Sequence, residues 1–132
     1  DYTGSNFAYY DVTDGVSGNK SFILNFDAAT HNPPSSSTVQ VYLEFYNGTT
    51  LLGTSSKYTV KNDFSTYGLL PASISHTSPS NTNRIRVVGL ANGGALKIDN
   101  ISLRGCFSQV DIALTTKTQP NCGTSTGSIV VA

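Results

Sequence analysis

The sequence predicts an all-β protein, an antiparallel β-sandwich of jelly-roll type. Three observations predict it. Apolar residues recur at every second position, the period of a strand with one buried face. Polar turn clusters interrupt the chain at spacings of about ten residues. No window gathers its apolar residues on one face of a helix.

The elements follow in order. Ser21 to Ala28 alternates Phe22, Leu24 and Phe26 against Asn25 and Asp27. His31 to Ser37, with Pro33-Pro34 inside it, reads as a loop. Thr38 to Tyr46 is the clearest strand: Val39, Val41, Leu43 and Phe45 point one way, and Gln40, Tyr42, Glu44 and Tyr46 the other. Asn47-Gly48 then predicts a type I′ hairpin turn, since both residues tolerate positive φ. A second strand runs from Thr50 to Val60. Ser78 to Asn83 is a polar loop, Arg84 to Leu90 places Ile85 and Val87 on one face, and Ala91 to Gly94 is a tight turn.

The strand from Ala95 to Leu103 carries a break in phase. Leu96 and Ile98 share one face, while Ile101 and Leu103 fall on the opposite one. A bulge at Asp99-Asn100 explains this, because one inserted residue exchanges the faces. It also sets Asp99, an acid, inside an apolar strand, where a charge needs a partner or a metal.

Composition narrows the function. The chain has 132 residues, a net charge of zero and only 12% charged residues. With no basic excess to neutralise phosphates, nucleic acid is not an expected partner. No apolar run approaches the roughly 18 residues of a membrane span, so no membrane insertion is expected. Ser and Thr together number 33, and Met and Trp are absent. That balance suits a secreted or cell-surface protein. Two cysteines, Cys106 and Cys122, fit one disulfide of an oxidising compartment, or separate partners elsewhere.

Three segments carry a resemblance. They are Phe7-Ala8-Tyr9-Tyr10-Asp11-Val12, Asn62-Asp63-Phe64-Ser65-Thr66-Tyr67, and Arg84 to Leu103 with its Leu96-Lys97-Ile98-Asp99-Asn100-Ile101 end. In that order the chain from 1 to about 104 resembles jelly-roll carbohydrate-binding modules of the family six and thirty-five type. The resemblance implies a sugar-stacking aromatic in the loop at 62–67 and a structural calcium ligand at Asp99. Where that family often has Asn before the Ile-Asp pair, this chain has Lys97. The tail, Thr116-Lys117-Thr118-Gln119-Pro120-Asn121-Cys122 and then Gly127 to Val131, resembles the opening of a repeat found in gliding-motility adhesins and other large surface proteins of Bacteroidetes. We therefore expect a sandwich domain over 1–105. Residues 106–132 would then be a linker and the start of a second β module, or edge strands added to the first. Further domains of the same parent chain are implied.

A sugar site needs a flat apolar ring for the C–H side of a pyranose and polar groups for its hydroxyls. Tyr67 and Phe64 are expected to supply the ring, with Asn62 and Lys97 as polar partners. Tyr9 or Tyr10 is a second platform, because neighbours in a strand face opposite ways. Gln40, Tyr42, Glu44 and Tyr46 form a further outward stripe. Arg84 and Arg86 beside it would grip an acidic sugar, or be solvated or paired with Glu44. Asp99 is the candidate calcium ligand, with Asp1 or Asp27 as helpers; its alternative is to cap a backbone turn.

Catalysis is not expected. The chain has one Glu, so paired-carboxylate chemistry would need two of the seven Asp residues in one cleft. Asp11 and Asp14 look like turn residues, and His31 and His76 lie in Ser-rich stretches. The expected function is non-catalytic binding of a polysaccharide or oligosaccharide. The alternative is a structural or adhesive spacer in a large adhesin, with no sugar site.

Overall fold

The computed structural model of the chain describes residues 5–31, 36–106, 116–118 and 128–130. Two antiparallel sheets pack face to face, as expected for a β-sandwich. Strands β1 (Ser5–Val12), β7 (Arg84–Asn92), β3 (Thr38–Asn47) and β4 (Thr50–Thr54) form one sheet in that order, and β5 (Tyr58–Thr59) also pairs with β3. The other sheet has the order β6 (Leu70–Thr77), β2 (Ser21–Thr30), β8 (Leu96–Cys106). From β1 to β3, and again from β6 to β8, the chain alternates between sheets, the wrapping of a jelly roll. Two short strands, β9 (Thr116–Thr118) and β10 (Ser128–Val130), pair with each other.

The period-two residues make the core. Phe22, Leu24, Phe26 and Ala28 of β2 meet Val39, Val41, Leu43 and Phe45 of β3 and Ile85 and Val87 of β7, all buried. Phe26 and Tyr58 meet edge to face at 5.6 Å between ring centres. His76 stacks on Phe45 at 5.1 Å, so this histidine is spent on the edge of the core.

Two expectations about local structure are corrected. Asn47 is paired with Thr50, so the two-residue turn is Gly48-Thr49 rather than Asn47-Gly48. Gly48 has φ +58°, and Asn47 does not have positive φ. Glycine at the first central position is the demand of a II′ turn, not I′. The strand expected over 50–60 is broken into β4 and β5 at Ser55. Its hydroxyl accepts the Leu43 N–H at 2.9 Å and donates to the Ser56 carbonyl, while its N–H donates to the Leu43 carbonyl. The side chain thus stands in for a ladder bond where the backbone turns aside.

The bulge in β8 is present. Asn25 pairs with Ser102 but Asp27 pairs with Asp99, so β8 spends one extra residue there. Asn100 takes φ +52°. The insertion returns Leu103 to the core with Leu96 and Ile98, and leaves Ile101 exposed.

Two loops are locked together at one end. The buried Ser78 hydroxyl donates to the Ser17 carbonyl at 2.7 Å and accepts the Lys20 N–H at 3.1 Å. Gly18 lies so close that a Cβ there would sit 2.6 Å from the Asn81 nitrogen. At the other side, where β1 and β7 face β8, a cleft of about 280 Å³ is lined by small and apolar residues, among them Phe7, Ala8, Gly89, Ala91, Leu96 and Ile98.

Candidate functional site

Cross-strand partners share a face, so register alone assembles the outer surface of the larger sheet. Asp11, Arg86 and Glu44 form one row across β1, β7 and β3. Tyr9, Val88 and Tyr42 form the next, and Arg84 lies opposite Tyr46. The Arg86 guanidinium carbon lies 3.9 Å from the Tyr9 ring centre and 5.2 Å from that of Tyr46. Arg84 stacks on Tyr46 at 4.3 Å. The result is a row of alternating rings and guanidiniums, held by cation–π contact. Tyr9 keeps 61% of its surface exposed.

Asp11 ties this face together. Arg86 donates Nε and Nη2 to its two oxygens at 2.8 and 3.1 Å, and Arg84 donates Nη1 at 2.9 Å. The second Arg84 arm donates Nη2 to the Gly48 carbonyl at 2.7 Å. The Arg86 hydrogen bond first, and then Arg84, hold the Asp11 carboxyl below the usual Asp value against its partial desolvation. Arg86 shifts upward for the same reason. The Tyr46 hydroxyl donates to Glu44 at 3.1 Å, and desolvation followed by that bond raises its pKa.

Two sequence expectations change here. Asp11, read as a turn residue, is the ionic partner of both arginines, a place expected of Glu44. Tyr42, expected to point outward, is only 7% exposed, and burial raises its phenol pKa. The Lys57 ammonium, 4.7 Å from its ring centre, lies across it. Tyr9 and Tyr10 do face opposite ways. Tyr10 pairs with the core residue Val87, yet it lies on the outermost strand and remains 72% exposed.

The loop residues form a second group. Asp63 opens a single helical turn, α1 (Phe64–Tyr67), by accepting the Thr66 and Tyr67 N–H groups at its carbonyl. Gly68 closes it at φ +66°, ψ −162°, a conformation reserved for glycine. The turn presents Phe64 and Tyr67, 40% and 66% exposed. The Lys97 ammonium from β8 lies 4.3 Å from the Phe64 ring centre. So Tyr67, Phe64 and Lys97 are brought together. Asn62 serves the fold: its Nδ2 donates to the carbonyls of Ala28 and Gly68 at 2.9 and 3.1 Å. Both amide hydrogens are thereby committed to backbone.

Asp99 is exposed rather than interior, because it alternates with the core-packed Ile98 and lies opposite Asp27 on the outer face. Its Oδ1 accepts the Asn100 N–H at 2.8 Å, the cap of a backbone turn. Asp27 lies directly across and accepts Asn100 Nδ2 at 2.7 Å. Among the described residues no three His, Cys, Asp or Glu gather to hold a metal. Asp1, Cys122 and the Cys106 side chain lie outside what is described, so neither the calcium helper at the start nor a disulfide can be placed.

No model of a known protein family matches the chain, and no curated protein matches its sequence. Solved structures do match its fold. One is a crystal structure of the bacteriophage CBA120 tailspike protein 4 enzymatically active domain, at TM-score 0.59 and 17% identity over 76% of this chain. The match spans 14% of that much longer chain. Another is a family 16 carbohydrate-binding module, at TM-score 0.53 and 14% identity, covering 77% of this chain and 72% of that one. At these identities the likeness establishes a shared sandwich fold.

Proposed function

We propose that this domain is a non-catalytic carbohydrate-binding module whose principal site is the outer face of the β1–β7–β3 sheet. The observation that carries the reading is the exposed Tyr9 ring, set against Arg86 beside the row of Asp11, Arg86 and Glu44. A pyranose asks for an apolar plate edged by paired donors and acceptors, and this face offers both. The family 16 carbohydrate-binding module of similar fold supports carbohydrate as the ligand class. A general acid needs a carboxyl raised toward neutrality, whereas Asp11 is held low by its arginines. That favours binding over hydrolysis.

The Phe64–Tyr67 turn with Lys97 is a second candidate surface for the same ligand class, favoured by the 4.3 Å approach of Lys97 to the Phe64 ring. In this reading the domain anchors a larger secreted or cell-surface protein to a polysaccharide. A spacer of a surface adhesin is the competing role, and it requires no ligand at either surface.

The test is a polysaccharide array probed with the wild type, Tyr9→Ala and Tyr67→Ala. Binding lost in Tyr9→Ala supports the sheet face. Binding lost only in Tyr67→Ala moves the site to the loop. A folded wild type that binds nothing supports the spacer.

A further inference from the structure

The charges on the Tyr9 face raise a question of ligand class that the stacking rings leave open. Two guanidiniums beside an aromatic plate are the usual equipment for gripping a carboxylate or sulfate in a bidentate fork. Here those forks are already filled. Arg86 spends Nε and Nη2 on Asp11, and Arg84 spends Nη1 on Asp11 and Nη2 on the Gly48 carbonyl. Glu44 stands in the same row, so two carboxylates face two guanidiniums. Lys57 adds a cation farther across, on Tyr42. An anionic sugar would have to displace Asp11 and then lie beside it, which like-charge repulsion opposes.

Resting on the carbohydrate reading of this face, we infer that Asp11 restricts the site to uncharged saccharides by occupying the guanidinium edges that an acidic sugar would bind. The side chain acts as a built-in competitor. It leaves the exposed surface of Tyr9 for stacking and leaves Glu44 and the remaining arginine donors for hydroxyl groups. Removing the charge while keeping the shape, as in Asp11→Asn, loosens the Arg86 fork and Arg84 Nη1 for an external carboxylate, while Arg84 Nη2 stays on the Gly48 carbonyl.

The experiment measures binding to immobilised polygalacturonate and to a panel of neutral polysaccharides (a mannan, a xylan, a mixed-linkage glucan and a soluble cellulose derivative). Four proteins are compared: wild type, Asp11→Asn, Asp14→Asn and the double variant Asp11→Asn/Arg86→Gln. Asp14 is exposed in a turn, so Asp14→Asn makes the same charge change elsewhere. Thermal melts establish that each is folded, and Asp11→Ser replaces Asp11→Asn if the latter does not melt cooperatively. The expected result is a wild type that binds a neutral polysaccharide and not polygalacturonate. Asp11→Asn then gains at least tenfold for polygalacturonate. The gain falls with added salt, since exposed charges are screened. It is absent from Asp14→Asn and lost in the double variant. Equal gains in Asp11→Asn and Asp14→Asn, or a wild type that prefers polygalacturonate, overturn this inference alone. A folded wild type that binds no polysaccharide in either set overturns the carbohydrate reading and this inference with it.

Discussion

Arg86 holds Asp11 through two hydrogen bonds while its guanidinium carbon lies 3.9 Å from the centre of the Tyr9 ring. One side chain therefore fixes both the aromatic plate and the polar groups beside it. Removing the plate removes the reason for a sugar to settle there. Tyr9→Ala is expected to weaken polysaccharide binding about tenfold, the equivalent of roughly 1.4 kcal/mol of stacking. Its melting temperature should stay near that of the wild type, because the ring is largely exposed. Calorimetric titration and a thermal melt check both halves.

Stability should fall on acidification, and Asp11 should carry part of the fall. Its folded pKa lies below the unfolded one. The ion pairs therefore contribute above the unfolded Asp value of about 4, and the contribution is lost as pH drops through the folded value. Urea unfolding of wild type and Asp11→Asn should differ most at pH 7 and converge in strong acid. A difference that stays constant down to pH 2 would mean that Asp11 works through packing.

Ser78→Ala should cost about 1–3 kcal/mol. The hydroxyl is buried and serves the Ser17 carbonyl and the Lys20 N–H together, so its removal strands both in a tight joint. Denaturant melts read the loss. Faster hydrogen exchange confined to residues 16–20 and 78–83 would locate it.

Gly89→Ala should destabilise by about 1–3 kcal/mol, since the new Cβ would lie 2.7 Å from Cδ2 of Leu96. Leu96 is only partly buried and lines the cleft, so its side chain can swing aside and the cost falls at the low end of that range. Combining Gly89→Ala with Leu96→Ala should cost less than the sum of the two single changes. Strict additivity would show that the two sites do not press on each other.

The strands were legible because burial writes a period of two into the sequence. Phe22, Leu24 and Phe26, like Val39 to Phe45, are buried as that period requires. The bulge was legible for the same reason, as a slip in phase at Asp99-Asn100. Other features depend on partners far along the chain. Asp11 sits next to glycine-bearing turn sequence, and its arginines lie 73 and 75 residues away. Local pattern carries no trace of such a pair. Tyr42 has the alternation of an outward residue yet is buried, with Lys57 lying across its ring. The hairpin turn shifted by one residue because the Asn47–Thr50 pairing, rather than dipeptide preference, decided which residues form the turn. The group formed by Tyr67, Phe64 and Lys97 was anticipated; the use of Asn62 as a fastener was not.

Strand β1 borders only β7 among the described strands, and the other flank of its ladder contributes nothing to alignment. A shift by one residue would trade Tyr9 for Tyr10 on the outer surface. A shift by two would keep the faces but bring Asp11 level with Arg84 or Val88. Only the observed alignment sets one carboxylate opposite Arg86 and within reach of Arg84 as well. Charge thus works on this strand as a vernier, reading its position to a single step where apolar contacts alone would accept several.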